Sequence, residues 1–179
     1  MLEGVVGSVP VLLITGPVGV GKSSVLSGAS WLLREAHIPH AAVNLSAIGE
    51  AWPAPGDDLW NERLIHRNLA CMWANFRDAG AERLLLERVL EARSLLRHIE
   101  AAVPGAQITV VRLRASREIV EARIRHREQG RDPSWYLGAT AYLVETMEHS
   151  DVADHVIETA NRPVGDVAAD VLRTVGWLP

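Results

Sequence analysis

Two apolar patterns alternate along this chain. Short uninterrupted runs, namely Val11–Thr15, "HAAVNL" (40–45), "ERLLLERVL" (82–90), "ITVVRL" (108–113) and "HVIET" (155–159), predict strands buried on both faces. Between them, apolar residues recur at helical spacing. Val25, Leu26, Ala29, Leu32 and Leu33 predict a helix that begins near Lys22 and stops before Pro39. Ile65, Leu69, Met72 and Phe76 form the apolar stripe of a helix between Leu59 and Ala79, with Gly80 as its stop and Asp57 or Asp58 as its cap. Further helices are predicted over 91–102, ended near Pro104, and over 116–128, 134–149 and 164–175. The segment "SAIGEAWPAPGDDLW" (46–60) is too rich in Gly and Pro for regular structure and long enough to be a functional loop. The alternation of apolar strands with helices predicts an α/β fold, a parallel sheet covered on both faces, in one domain spanning residues 1–179.

The turn from the first strand to the first helix carries the chemistry. "GPVGVGKS" (16–23) satisfies G-x-x-x-x-G-K-[ST], with a buried strand before it and a helix after it. Gly16, Gly19 and Gly21 let the backbone curl, so that N–H groups from Val20 through Ser24 face phosphate oxygens at the positive end of a helix. Lys22 places a compact charge at the terminal phosphates of ATP, and the Ser23 hydroxyl is a ligand for Mg²⁺. Lys22 is the only lysine in a chain with 17 arginines. The rigid, planar arginine fork is a poor replacement for lysine in that geometry.

Composition narrows the partners. A net charge of −4 and a pI near 6.0 argue against nucleic acid or an anionic membrane as the main partner, because both require a basic surplus on one face. The lone cysteine, Cys71, allows no internal disulfide, which suits a reducing compartment. The N-terminal stretch "MLEGVVGSVPVLLIT" has no basic leader, and no apolar run approaches the ~20 residues that span a bilayer, so a cytoplasmic location is expected. Asn44-Leu45-Ser46 matches a glycosylation acceptor, which carries no weight without an export signal. The seven histidines show no metal-ligand spacing.

With these residues in place, the sequence resembles the small P-loop kinases typified by adenylylsulfate kinase, gluconate kinase and chloramphenicol phosphotransferase. The phosphate loop carries most of the resemblance, which extends in order and length over nearly the whole chain. The segment "NERLIHRNLACMWANFRDAG" (61–80) is similar to the start of the second helix in adenylylsulfate kinases, with Arg63, Asn68 and Gly80 at matching places. The resemblance implies a three-layer α/β/α fold with strand order 2-3-1-4-5. It also implies a mobile lid over about 117–135 and an adenine-holding loop in "ETANRPVGD" (158–166), contacted through Thr159, Asn161 and Arg162.

Helical-wheel arithmetic supports the lid independently. At about 100° per residue, Arg123 and Arg127 fall on the face defined by Ile119, Val120 and Ile124, whereas Arg125 points away. Arg125 has Glu121 and Glu128 at helical spacing, but Arg123 and Arg127 have no acid three or four residues away. Two such cations on an inward face call for an anion, and both are assigned to charge neutralisation beside Lys22. Arg63 and Arg67 also lack helical acidic partners, but the wheel turns them away from the apolar stripe; Asn68 lies nearer its edge.

The acceptor side is less defined. Family members place an Asp at the end of the second strand, and here that position is Asn44, whose amide cannot take a proton. Replacement carboxylates are Glu87 and Glu91 near the third strand, or Glu50, Asp57 and Asp58 in the long loop. Arg93 resembles an arginine of adenylylsulfate and gluconate kinases, and Trp52 and Trp60 offer stacking surfaces for a flat acceptor. No apolar strand ends in the Asp of a typical second nucleotide motif. The reading is an ATP- and Mg²⁺-dependent phosphotransferase acting on a hydroxyl of a small metabolite or antibiotic. The competing readings are a nucleotide hydrolase and a nucleotide-sensing binding protein, neither with a small-molecule acceptor.

Overall fold

The computed structural model describes residues 7–179, so part of the N-terminal stretch read for a targeting signal lies outside it. Its elements are β1 (Val9–Thr15), α1 (Lys22–Glu35), β2 (Ala41–Asn44), α2 (Glu62–Asp78), β3 (Leu84–Glu87), α3 (Leu96–Ala102), β4 (Ala106–Arg114), α4 (Arg117–Arg127), α5 (Ser134–Glu148), β5 (His155–Glu158) and α6 (Val164–Thr174). Single 3₁₀ turns cover Ala47–Gly49 and Arg93–Leu95.

The five strands form one parallel sheet in the order β2-β3-β1-β4-β5, as the resemblance implied. Its central strand explains the uninterrupted apolar run. Val11 and Leu13 face a core shared with α2 and α3, while Leu12 and Ile14 face a second core shared with α1, α4 and α6. With both faces covered, no position on this strand is left for a polar side chain until Thr15, whose hydroxyl oxygen accepts the Leu90 N–H at 2.9 Å. β1 also begins two residues earlier than predicted and includes Pro10. That proline is tolerated because β3 pairs with β1 only from Val11 onward, so the missing N–H has no strand beside it to serve.

Other boundaries shift for local reasons. α2 starts at Glu62 instead of Leu59, after Asn61 in the left-handed region (φ 53°), and the Asp58 carboxylate accepts the N–H groups of Glu62 and Arg63 at 2.7 and 3.1 Å. Asp58 is therefore the capping acid. The buried face of α2 runs through Ile65, Leu69 and Trp73, with Met72 and Phe76 only half-buried at its margin. The indole of Trp73 thus displaces the smaller residues from the centre of the predicted stripe. The helix expected over 91–102 is split: a 3₁₀ turn precedes α3, which begins only at Leu96. No helix among the described residues is long and apolar enough to cross a membrane.

The long loop docks on α2 at one close contact. Gly49 is buried, and a Cβ there would lie 2.2 Å from Ile65 Cγ1. Gly49→Ala should therefore cost about 2 kcal/mol by overpacking, or roughly 4–8 °C in Tm for a chain of this size. A melting temperature unchanged in thermal denaturation would show that the loop is free to move off the helix.

Candidate active site

The site lies at the carboxyl ends of the strands, where β1 turns into α1. Gly16, Gly19 and Gly21 have φ of 140°, 84° and 107°. Gly19 also permits a close approach, because a Cβ there would stand 2.6 Å from Ile124 Cγ1; its absence lets α4 rest directly on the loop. At the start of α1, Gly21 occupies the capping position, no side chain caps the helix and no acid lies in its first turn. The first N–H groups of α1 therefore have no side-chain acceptor, which favours an anionic ligand there.

Lys22 and Ser23 start this helix. Lys22 Nζ donates to the carbonyl oxygens of Gly16 and Pro17, each at 3.0 Å. Burial pushes its pKa from 10.5 down to about 8; Glu87 pulls it up and Arg127 adds to the depression. The Ser23 hydroxyl donates to Glu87 Oε1 at 2.6 Å, while the buried Glu87 Oε2 has no partner. Glu87 ends β3 directly beside Ile14 of β1. No described strand carries the Asp of a second nucleotide motif, but "LLLE" ends in Glu87, one of the replacement carboxylates, and pairing with β1 brings it to the serine. A hydroxyl beside a carboxylate with an orphaned oxygen fits a hard cation such as Mg²⁺. Among the described residues, no group of three or more His, Cys, Asp or Glu is placed to hold a metal ion.

The two inward arginines of α4 are placed differently from each other. Arg123 reaches across to the phosphate loop and the segment after β5. Its guanidinium donates to Val20 O at 3.0 Å, Thr159 O at 2.9 Å and Thr159 Oγ1 at 3.1 Å, all neutral acceptors, so its position is fixed while its charge stays uncompensated. Arg127, expected to lack an acidic partner, has one next to it in sequence, where wheel spacing does not look: Nε donates to Glu128 Oε1 at 2.7 Å. Its guanidinium also lies 4.9 Å from the Tyr136 ring centroid. Arg125 accordingly pairs with Glu121 alone, at 2.9 Å, not with Glu128. From α5, the buried Thr140 donates to Val18 O at 3.0 Å, so two helices brace the loop.

These elements surround a cavity of about 1210 Å³. This exceeds the roughly 300–1,000 Å³ typical of a single small-molecule site and leaves room for a second ligand beside a nucleotide. Val20, Ser24, Thr159 and Arg162 line it on the phosphate-loop side, and Arg162 is paired with Asp170 at 2.5 Å. Asn161, expected beside Thr159 and Arg162, is not among the cavity residues and sits in a left-handed turn (φ 52°).

On the opposite side, Asn44, Glu50, Trp60 and Glu91 line the cavity. Asn44 Oδ1 accepts the Ala47 N–H at 3.0 Å, so this side chain caps the turn after β2. Four residues expected at the acceptor lie elsewhere. Arg63 points outward into a bidentate pair with Asp57 at 2.9 and 2.8 Å, an acid from the preceding loop and not from its own helix. Arg93 turns to Asp154 (2.8 Å) and Val152 O (3.2 Å). Asn68 holds the long loop through Ile48 O at 2.7 Å, and Trp52 is 92% exposed. In their place the fold brings in His66, His98, Trp135 and Tyr136. Trp60 and Trp135 approach to 6.3 Å between centroids across the mouth. The wheel signal could have found His66, one position past Ile65 and beside the edge of the stripe; nothing in the sequence linked Trp60 to Trp135.

No protein-family model and no curated protein sequence matches the chain. Solved structures do. The chain is similar to the tunicamycin resistance protein of Deinococcus radiodurans (18% identity, 95% of this chain and 97% of that one, TM-score 0.67). It is similar to the APS kinase of Mycobacterium tuberculosis, solved with AMPPNP and APS (17%, 94% and 98%, 0.65), and to a gluconokinase from Sinorhizobium meliloti 1021 (20%, 94% and 90%, 0.59). At these identities the likeness establishes the fold, that of the P-loop small-molecule kinases.

The position of Lys22 makes phosphate binding pH-dependent. A polyphosphate raises the pKa of a neighbouring ammonium, so binding takes up a proton wherever the free protein has lost one. MgATP affinity should be flat below pH 7.5 and weaken above about pH 8, by up to about tenfold per pH unit. In Lys22→Arg, whatever its absolute affinity, that slope should vanish. Calorimetric titration from pH 6.5 to 9.5 checks both; a wild-type affinity independent of pH would remove Lys22 from the phosphate site.

Proposed function

We propose that this protein transfers the terminal phosphoryl group of ATP to a hydroxyl of a small molecule, with Mg²⁺. The observation that carries this reading is the uncapped, acid-free start of α1, where Lys22 and the Ser23–Glu87 pair open into a cavity large enough for two ligands. The fold shared with the solved kinases supports it.

In this reading the curled loop and the first N–H groups of α1 bind the β- and γ-phosphates, and Lys22 exchanges its two carbonyl contacts for phosphate oxygens. Ser23 and Glu87 hold the cation, which when bound offsets negative charge between the phosphates. Arg123 contributes fixed positive charge from the base of the lid, and Arg127 approaches from its tip as the lid closes. Thr159 and Arg162 flank the adenine. The acceptor oxygen forms a bond to the γ-phosphorus as the bond to the ADP oxygen breaks, and the hydroxyl proton passes to an oxygen of the transferred phosphoryl group and from there to water. Asn44 orients that hydroxyl without deprotonating it, which phosphoryl transfer tolerates because positioning and charge neutralisation supply most of the catalysis.

The amide at position 44 keeps one competing reading in view, nucleotide hydrolysis without a small-molecule acceptor. Incubation with ATP, Mg²⁺ and a library of hydroxyl metabolites, read by mass spectrometry, separates the two: a metabolite that gains one phosphoryl group supports the kinase. Phosphate release unaffected by any metabolite supports the hydrolase. Glu87→Gln should lower the apparent Mg²⁺ affinity and turnover by about 10–100-fold while leaving the fold intact. Mg²⁺ dependence identical to that of the parent protein would place the cation elsewhere.

A further inference from the structure

Four buried side-chain atoms among the described residues have no hydrogen-bond partner, on Trp73, Arg83, Glu87 and Arg88. Only the last two residues line the cavity, and they are consecutive where β3 ends. Glu87 Oε2 is accounted for by the cation in the reading above. Arg88 Nη1 has no part in it. The Arg88 backbone is fixed to the sheet, its N–H donating to Ile14 O at 3.1 Å, and its side chain is only 18% exposed. The other terminal nitrogen, Nη2, is held by the Glu62 carboxylate, which offsets the charge of the guanidinium and leaves Nη1 a buried donor without an oxygen to serve.

Glu62 also anchors a neighbouring acceptor. His66 Nδ1 lies 2.7 Å from the Glu62 carbonyl oxygen, which can only accept, so this nitrogen carries the proton and Nε2 of the neutral ring is a lone pair. Burial holds the His66 pKa below its ordinary value, with His98 and Arg88 adding to the depression, so the ring stays neutral at pH 7. His98 packs against the ring at 5.1 Å between centroids. One residue of α2 thus holds, through its carboxylate and its carbonyl, an orphaned donor and a lone pair on the same wall of the cavity. The pair discriminates between ligands. A carboxylate or sulfate oxygen accepts from Arg88 but sets its own lone pairs against that of His66. An ammonium serves His66 and meets the guanidinium as a like charge. A hydroxyl does both, accepting from Nη1 and donating to Nε2.

We infer that Arg88 and His66 together bind a second hydroxyl of the phosphoryl acceptor, one that is not phosphorylated, and so select an uncharged polyhydroxy compound. The inference deepens the kinase reading and rests on it. Asn44, which orients the reacting hydroxyl in that reading, lies beside Glu87 in the sheet register, and Arg88 is the next residue, so the two hydroxyl sites belong to adjoining strand ends. Trp60 and Trp135 offer ring faces to the carbon skeleton of such a compound.

Calorimetric titration separates the inference from the reading beneath it. MgAMPPNP alone reports the nucleotide site. With that site saturated, glucose, myo-inositol and sorbitol are titrated against gluconate and glucosamine, and the tightest neutral ligand is then compared with its monodeoxy analogues. We expect a neutral polyol to bind about tenfold or more tightly than gluconate and glucosamine, and the loss of one particular hydroxyl to weaken it by about tenfold or more, because Nη1 and Nε2 lose their shared partner. These comparisons need only the parent protein. In Arg88→Met and in His66→Phe, the polyol and that deoxy analogue should bind alike, whereas a residue that only packs would weaken both ligands and keep their ratio. MgAMPPNP titration of each variant checks that it is folded. Gluconate or glucosamine binding as tightly as every neutral polyol, or no polyol binding, overturns the inference and leaves the kinase reading standing. A deoxy penalty retained in either variant overturns the assignment to Arg88 and His66. Failure of MgAMPPNP to bind the parent overturns both.

Discussion

The molecule is organised around one electrostatic deficit: the amino end of α1 carries the positive end of a helix dipole, no side chain caps it, no acid lies in its own first turn, and the one nearby carboxylate, Glu87, is engaged through the Ser23 hydroxyl and not by the helix N–H groups. Such an end is stable only if its loop is held rigidly, and the fold provides this from three directions. β1 is fixed from below by burial on both faces. α4 presses Ile124 against the bare backbone of Gly19, and Arg123 ties Val20 to Thr159. α5 anchors Val18 through Thr140. Apart from the long bond from the Val20 N–H to Pro17 O at 3.4 Å, the bonds that fix the loop involve its carbonyl oxygens. Preorganisation of this kind lowers the cost of binding a polyanion because no reordering is needed when it arrives.

The same deficit explains the state of Lys22. An ammonium held among carbonyl oxygens, partly desolvated and near Arg127, has its pKa brought down toward neutrality. It is a charge awaiting a better partner, and a phosphate is the stronger one. Glu87 plays the complementary part on the neighbouring strand. One of its oxygens is satisfied by Ser23 and the other is buried without a partner, an arrangement that costs stability unless something fills it. Two adjacent groups, one cationic and one anionic, are thus both left incompletely satisfied at the mouth of the central strand, a feature more easily explained by function than by folding.

The far wall of the cavity is built by a different part of the chain. The long loop after β2 is tied to α2 by Asn61 and Asn68, which donate to the carbonyl oxygens of Gly49, Ala51 and Ile48. These contacts bring Trp60 toward Trp135 of α5. Asn44 supports the same loop by capping its first turn. Replacing an acid by an amide there removes a candidate base, while the turn keeps its hydrogen bond.

The phosphate loop, the alternation of strands and helices and the parallel sheet could all be read from the chain alone, because each is encoded locally: a motif within eight residues, apolar runs buried on both faces, helical spacing. Asp58 as a cap was legible for the same reason. What required the tertiary structure was every pairing between distant segments. Glu87 could be listed as a carboxylate, but only the register of β3 against β1 sets it beside Ser23. Arg63 looked free because its acid, Asp57, lies in the preceding loop, outside the spacing a helix can report, and Arg93, placed at the acceptor by resemblance, is held instead by Asp154, just before β5. Arg127 found its partner at the adjacent position, at a helix end where the regular wheel no longer applies. The sequence by itself determined where the glycine-rich backbone curls between β1 and α1; only the folded chain decided which charges remained unpaired around it, because ion pairing depends on distances that chain order does not contain.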